Sequence, residues 1–159
     1  MTHSYESGEI NQTELDYLEN IFAFDERVLK EIMIEHGQIV TLSSGMSLNN
    51  MMEVLNQNDY TRYPVTEEGH KHRFIGFINT KEMLTSMAAG RECRMSDFIH
   101  DMLRFSQNAS IKDVLIKMQQ SRVHMAAVTN EEGTTIGLVT MEDILEEIVG
   151  DIRDEAVLI

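Results

Sequence analysis

Tryptophan is absent from this chain of 159 residues, proline and cysteine occur once each, as Pro64 and Cys93, and 13 lysines and arginines face 27 aspartates and glutamates. Each scarcity excludes something. A single cysteine permits no intrachain disulfide, so the core alone must hold the fold, and a reducing, cytosolic setting fits best. A single proline leaves no stiff proline-rich hinge. The net charge of −14 denies a nucleic acid the clustered cations its phosphates need, and it opposes adsorption to anionic lipid. No stretch approaches the roughly 18 apolar residues of a membrane-spanning helix, so direct insertion into a bilayer is not expected. The opening MTHSYESGEINQTE is polar and acidic, unlike a secretory leader. No nucleophile–base pairing, glycine-rich phosphate loop or zinc-ligand spacing occurs, and nothing beside Cys93 would activate its thiol, so the chain does not read as an enzyme. What remains is an ordinary globular composition, 42% hydrophobic and 25% charged, long enough to bury a real core.

What the chain does have is itself, twice. LSSGMSLNNMMEVLNQNDYTRYPVT aligns with FSQNASIKDVLIKMQQSRVHMAAVT at an offset of 63, so that Leu48 falls on Ile111 (111 − 48), Val65 on Val128 and Thr66 on Thr129. After a loop two residues shorter in the second copy the offset becomes 61, placing Gly76 on Gly137, Ile78 on Val139 and Leu84 on Leu145. Each copy reads as strand, helix, strand, strand, helix. Leu48, Met51, Met52 and Leu55, and in copy two Ile111, Val114, Leu115 and Met118, follow the spacing of one helical face. RYPVT, MAAVT, FIGFIN and TIGLVT have strand character, and EEGHKH and NEEG are turns. The final helices begin near Thr80 and Thr140. In the second of them Met141, Ile144, Leu145, Ile148 and Val149 are expected to be buried, while Glu142, Asp143, Glu146, Glu147 and Asp151 lie elsewhere around it. Two amphipathic segments come first, TELDYLENIFAF, with Thr13 as N-cap and Leu15, Leu18, Ile21 and Phe22 as its stripe, and DERVLKEIM, with Val28, Leu29 and Ile32. The expected organisation is a helical lead-in over 1–36, a first repeat over 37–90, and a linker with the second repeat and its acidic helix over 91–155. The fold class is α+β, with two β-α-β-β-α units packed sheet to sheet.

On these residues the doubled unit resembles a CBS-domain pair, the regulatory module named after cystathionine β-synthase. GLVTMEDILEEIVGDIRDE, NDYTRYPV, SRVHMAAV and the lead-in ESGEINQTELDYLENIFAFDERVLKEIM resemble, in order, the corresponding parts of CorC/HlyC-type magnesium and cobalt efflux, hemolysin-like membrane proteins. The resemblance covers residues 6 to 155. It implies a module on the cytoplasmic side of a larger membrane protein, between a membrane domain and a small C-terminal domain, so that the chain is a piece of such a protein or a shortened relative. It also implies a homodimer, and an adenosine nucleotide, AMP or ATP with or without Mg²⁺, bound between the sheets. Two other readings stay open: a dimerisation scaffold with a vacant cleft, and a direct sensor of divalent cations.

The family's ligand motif runs glycine, two apolar residues, Thr or Ser, two more residues, then Asp. Copy two carries it complete, from Gly137 through Thr140 to Asp143. A helix N-terminus offers N–H groups to a phosphate, the Thr140 hydroxyl adds a donor, and the Asp143 carboxylate can accept from both ribose hydroxyls. The same spacing serves plain helix capping, and both roles can hold at once. In copy one the positions are Asn79 and Glu82, which implies a weaker or empty second site. The resemblance completes the main cleft with Val40, Tyr60, Thr61 and Arg62 from copy one and His124 and Met125 from copy two. Tyr60 would pack on a base, Thr61 would hydrogen-bond and Arg62 would meet phosphate. His70 and His72, read as part of a turn, and His100 with Asp101 are not expected to bind metal. The 12 methionines read as adaptable core filling.

Overall fold

The structure, a computed structural model, describes residues 27–158, with side chains through residue 149. The segment from Thr13 to Phe22 lies outside the described residues.

Repeat one comprises β2 (Leu42–Ser43), α1 (Leu48–Gln57), β3 (Arg62–Glu67), β4 (His70–Asn79) and α2 (Thr80–Ala88). Repeat two comprises β5 (Leu103–Ser106), α3 (Ile111–Ser121), β6 (Met125–Thr129), β7 (Thr135–Thr140) and α4 (Met141–Leu158). The order expected from the sequence holds in both. Ser47 and Ser110, 63 residues apart, start α1 and α3 in the same way. Each hydroxyl oxygen accepts the N–H three residues on, from Asn50 at 3.1 Å and from Asp113 at 3.2 Å, and such a cap contributes about 1 kcal/mol.

Each repeat packs its helices on one face of its sheet and meets the other repeat with the opposite face. The period of two along a strand does the sorting. In β4, Ile78 joins Leu42, Met51 and Tyr63 in the core of repeat one, and Phe77 points the other way. In β7, Val139 joins Ile111, Leu115 and Ile144 in the core of repeat two, and Leu138 points the other way. Phe74, Phe77, Met102, Met125, Ala127 and Leu138 then form a third cluster between the sheets. Full burial of one such side chain contributes about 1.5–3 kcal/mol.

The sheets are not closed within their own repeats. A short strand β1 (Ile34–Glu35), which precedes repeat one, pairs antiparallel with β7 of repeat two, giving the order β1-β7-β6-β5 beside β2-β3-β4. The converse exchange is a single bridge, in which His100, preceding repeat two, exchanges N–H···O bonds of 3.0 and 2.8 Å with Phe77 of β4. Phe77 and Leu138 are equivalent by the offset of 61, so His100 stands to repeat one as Ile34 stands to repeat two. The motif glycines sit under these crossings. A Cβ on Gly137 would meet the Ile34 carbonyl oxygen at 2.7 Å, and one on Gly76 would strike the carbonyl oxygen of His100.

Three expectations need correction. The Val28, Leu29, Ile32 stripe does not form an amphipathic helix; it gives one 3-10 turn, Leu29–Glu31, followed by β1. The N–H groups of Leu29 and Lys30 are drawn to the carbonyls of Ala109 and Gln107, and Leu29 is buried in the core of repeat two, so tertiary partners override the helical period. Arg27 Nη1 meets Glu147 Oε1 at 2.5 Å, tying this segment to α4. Leu145 and Val149 of α4 are 39% and 43% exposed, because Met141, Ile144 and Ile148 already complete the face that meets the sheet. His70 and His72 open β4 rather than lying in a turn, and the His72 ring stacks on His36 with centroids 4.0 Å apart.

Candidate functional site

A cleft of about 460 Å³ opens between the repeats, at the end of β7 where α4 begins. Val40, Tyr60, Thr61, Arg62, His124, Met125, Thr140 and Asp143, the eight residues expected from the sequence, all line it. Thr140 ends β7, and its Oγ1 accepts the Asp143 N–H at 3.1 Å, so it caps α4 and keeps its own hydroxyl proton to donate. The Met141 N–H is taken by the His124 carbonyl at 2.9 Å, which fixes the helix end to β6. Among the described residues no hydrogen bond or ion pair engages the Asp143 carboxylate.

Repeat one supplies the opposite wall. The Thr61 carbonyl accepts both the N–H and the hydroxyl of Thr80, at 2.8 and 3.1 Å, anchoring the loop to the start of α2. Next to it Tyr60 is 59% exposed, its ring edge-on to Tyr63 at 5.7 Å, so one face is open at the rim. Arg62 Nη1 and His124 Nδ1 lie 3.9 and 3.7 Å from the same oxygen, Glu142 Oε1. The partly exposed Arg62–Glu142 pair contributes about 0–1 kcal/mol, so Glu142 holds Arg62 lightly.

Sequence reasoning missed the apolar side of the cleft, Ile34, Ile39, Pro64 and Leu138, together with Gln38 and Asp59. Ile34 arrives through the strand exchange, which no local pattern announces. It treated Glu142 as part of an acidic face, whereas the glutamate reaches both Arg62 and His124.

The second pair, Asn79 and Glu82, is differently engaged. The Asn79 side chain caps α2 by accepting the Lys81 N–H at 2.9 Å. Glu82 Oε1 lies 2.6 Å from His100 Nε2. Glu82 and His100 line a more open groove with Lys81, Thr85, Ser86, Asp97, Phe98 and Ile99; Asn79 does not line it.

Two repeats that exchange edge strands and share a cleft at a strand-to-helix junction define a tandem-repeat module. The CBS domain model matches residues 29–89 and 95–150, and the chain belongs to that family. The UPF0053 protein YhdP of Bacillus subtilis is 49% identical over 158 residues, 98% of this chain and 35% of that protein. The magnesium and cobalt efflux protein CorC of Vibrio cholerae is 34% identical over 143 residues, 88% of this chain and 48% of that protein. Among solved structures, the CBS domain of a bacterial CNNM/CorC family Mg²⁺ transporter in complex with ATP matches with a TM-score of 0.72 at 28% identity, covering 87% of this chain and 97% of that one. The chain is thus a CBS pair homologous to those of CorC-type transporters, and it spans about a third to a half of the length of these larger relatives. No helix among the described residues is long and apolar enough to cross a membrane.

Proposed function

We propose that this chain is a non-enzymatic regulatory module that binds an adenosine nucleotide, AMP or ATP, between its repeats, on the cytoplasmic side of a CorC/HlyC-type ion-transport protein. The observation that carries the reading is the unengaged Asp143 carboxylate beside the Thr140 hydroxyl, with Tyr60 and Arg62 across the same cleft. The base stacks on Tyr60, the ribose hydroxyls donate to Asp143, and the phosphate lies toward Thr140 and Arg62. Binding draws both repeats onto one ligand, and the shape so favoured is felt by the attached domains. Calorimetry with AMP, ATP and Mg²⁺, separately and together, tests it. Absence of binding by either nucleotide at millimolar concentration removes the reading.

Charge sets the choice of species. ATP brings about four negative charges to a cleft edged by Glu142 and Asp143, and Mg²⁺ on the phosphates offsets about half of them. Among the described residues no group of three or more His, Cys, Asp or Glu is disposed to hold a metal ion, so the cation would come with the nucleotide. ATP is expected to bind about tenfold more tightly, ~1.4 kcal/mol, in millimolar Mg²⁺ than in EDTA, while AMP changes little. Changing Glu142 and Glu146 to glutamine narrows the gap, since Glu142 also competes for Arg62. An ATP affinity indifferent to magnesium in the unaltered chain sinks this mechanism.

The module is also expected to dimerise through helical faces. Leu84 on α2 and Leu145 on α4 are equivalent by the offset of 61 and are 44% and 39% exposed, with Val149 beside the second. Repeated apolar positions of this kind suit a symmetric, self-complementary interface. Light scattering at micromolar concentration should report about twice the 18.2 kDa chain mass. A single species at the chain mass counts against the dimer.

A further inference from the structure

We propose that the outer groove between α4 and the segment leading into β1 docks a cationic, amphipathic segment of the parent protein, and that its occupant acts on the nucleotide cleft through a shared wall. The occupant's source and its effect on the nucleotide rest on the function proposed above.

The groove, of about 970 Å³, is lined by apolar and acidic residues and by no lysine or arginine. Ile32 and Ile34 come from the entering segment, and Leu145 and Val149, four residues apart on α4, are 39% and 43% exposed. Glu31, Glu142, Asp143, Glu146 and Glu147 supply the carboxylates. Only part of that charge is met within the chain. Arg27 lies 3.9 Å from Glu31 and 2.5 Å from Glu147, and Arg62 is held lightly by Glu142. Among the described residues no ion pair engages Asp143 or Glu146.

The internal repeat shows that the fold does not ask for these acids. Repeat one builds the equivalent groove from α2 and the segment ending at His100. At the offset of 61 (142 − 81), Glu142, Asp143, Glu146 and Glu147 stand where α2 has Lys81, Glu82, Thr85 and Ser86. At an offset of 66 (97 − 31), Glu31 stands where repeat one has Asp97. The same scaffold therefore carries lysine, threonine and serine at three of the positions that repeat two fills with glutamate. Acids that the backbone does not need, set around exposed leucine and valine, suit a partner that is basic and apolar at once. A helix with leucines on one face and lysines at its margins meets both demands. Cytoplasmic segments flanking membrane spans are rich in lysine and arginine, so a segment of that kind is the occupant with matching chemistry.

Ile34, Glu142 and Asp143 line the outer groove and the nucleotide cleft alike. A lysine arriving from outside draws Glu142 from Arg62 and leaves the guanidinium to the nucleotide phosphate. It also offsets carboxylate charge that the phosphate would otherwise meet. The two ligands therefore favour each other, by the same factor in either direction.

The probe is a synthetic peptide of leucine and lysine at helical spacing, titrated by calorimetry beside its leucine–glutamate counterpart. The unaltered chain is expected to bind the first at micromolar concentration and not the second. Leu145→Ser/Glu146→Thr should weaken the peptide by roughly tenfold or more. Glu131→Thr, the same charge change in the β6–β7 turn, should leave it almost unaltered. Urea unfolding checks the fold; if the double variant does not fold, Glu146→Lys decides, and unchanged peptide affinity there overturns the proposal. Saturating peptide is expected to tighten AMP about fivefold, and AMP the peptide by the same factor, with the effect lost in the groove variant. No peptide binding by the unaltered chain overturns the proposal; a second copy seated over Leu145 and Val149 would then show as twice the chain mass. Equal losses in the Glu131 and groove variants overturn it too, since the peptide would be following net charge alone. AMP and peptide that bind without affecting each other overturn the shared wall. Absence of AMP binding removes the nucleotide reading, while the docking surface stands or falls on the peptide titrations.

Discussion

Replacing Asp143 with alanine is expected to weaken AMP binding by about 1.5–3 kcal/mol, the range for hydrogen bonds to a charged group, or roughly 10- to 150-fold. The effect should fall almost wholly on the ligand. Among the described residues the carboxylate has no hydrogen-bond or ion-pair partner, so its loss removes only a favourable charge from the first turn of α4, about 0.3–1 kcal/mol of stability. Glu82→Ala should matter less to AMP, since Glu82 already meets His100 at 2.6 Å. Paired titrations of the two variants, with urea unfolding as a check on the fold, give the comparison. Titration curves untouched by either change would show that the cleft has been assigned wrongly.

The second large effect concerns stability. Gly137→Ala puts a methyl group 2.7 Å from the Ile34 carbonyl oxygen and 2.6 Å from the Met33 sulfur. The methionine can turn away, but the carbonyl belongs to the strand that pairs Glu35 with Gly137, and it cannot retreat without unzipping β1. Overpacking of this kind costs about 1–3 kcal/mol, set against a gain of about 0.5–1 kcal/mol from the lost flexibility of glycine in a strand. The net should lower the urea midpoint at unchanged slope. Gly37→Ala is the control, because a Cβ there meets nothing within 4 Å. A Gly137→Ala chain as stable as the Gly37→Ala chain refutes the claim that the crossing strand requires this glycine.

The sequence made the repeats legible because each is built from strong, local periods. α3 shows this best: Ile111, Val114, Leu115 and Met118 are all buried, as their spacing requires. Its counterpart is less regular, with Leu48 47% exposed at the position of Ile111, since a spacing of apolar residues says which face is apolar but not whether anything covers it. Leu145 and Val149 failed for the same reason. The eight expected residues line one cleft, and it was the family resemblance, not any local period, that said which strand ends converge there. The exchange of edge strands was not legible. β1 is two residues long and the His100 bridge is one, too short for an alternation to register, and their partners lie far along the chain. Ile34 and the engagement of Glu82 by His100 both follow from that exchange, so both were beyond reach.

The same exchange bears on where such a module comes from. A lone repeat would carry upstream a strand it cannot use itself and would leave its own sheet edge bare at the motif glycine. Two separate copies would satisfy each other by trading those strands, and the product would be a two-fold symmetric pair with two identical clefts. Joined end to end, the partners become neighbours in one polypeptide, and each cleft is free to drift from the other. The difference between Ile34 and His100 is what that freedom permits: a two-fold pattern kept in the backbone crossings and given up in the side chains.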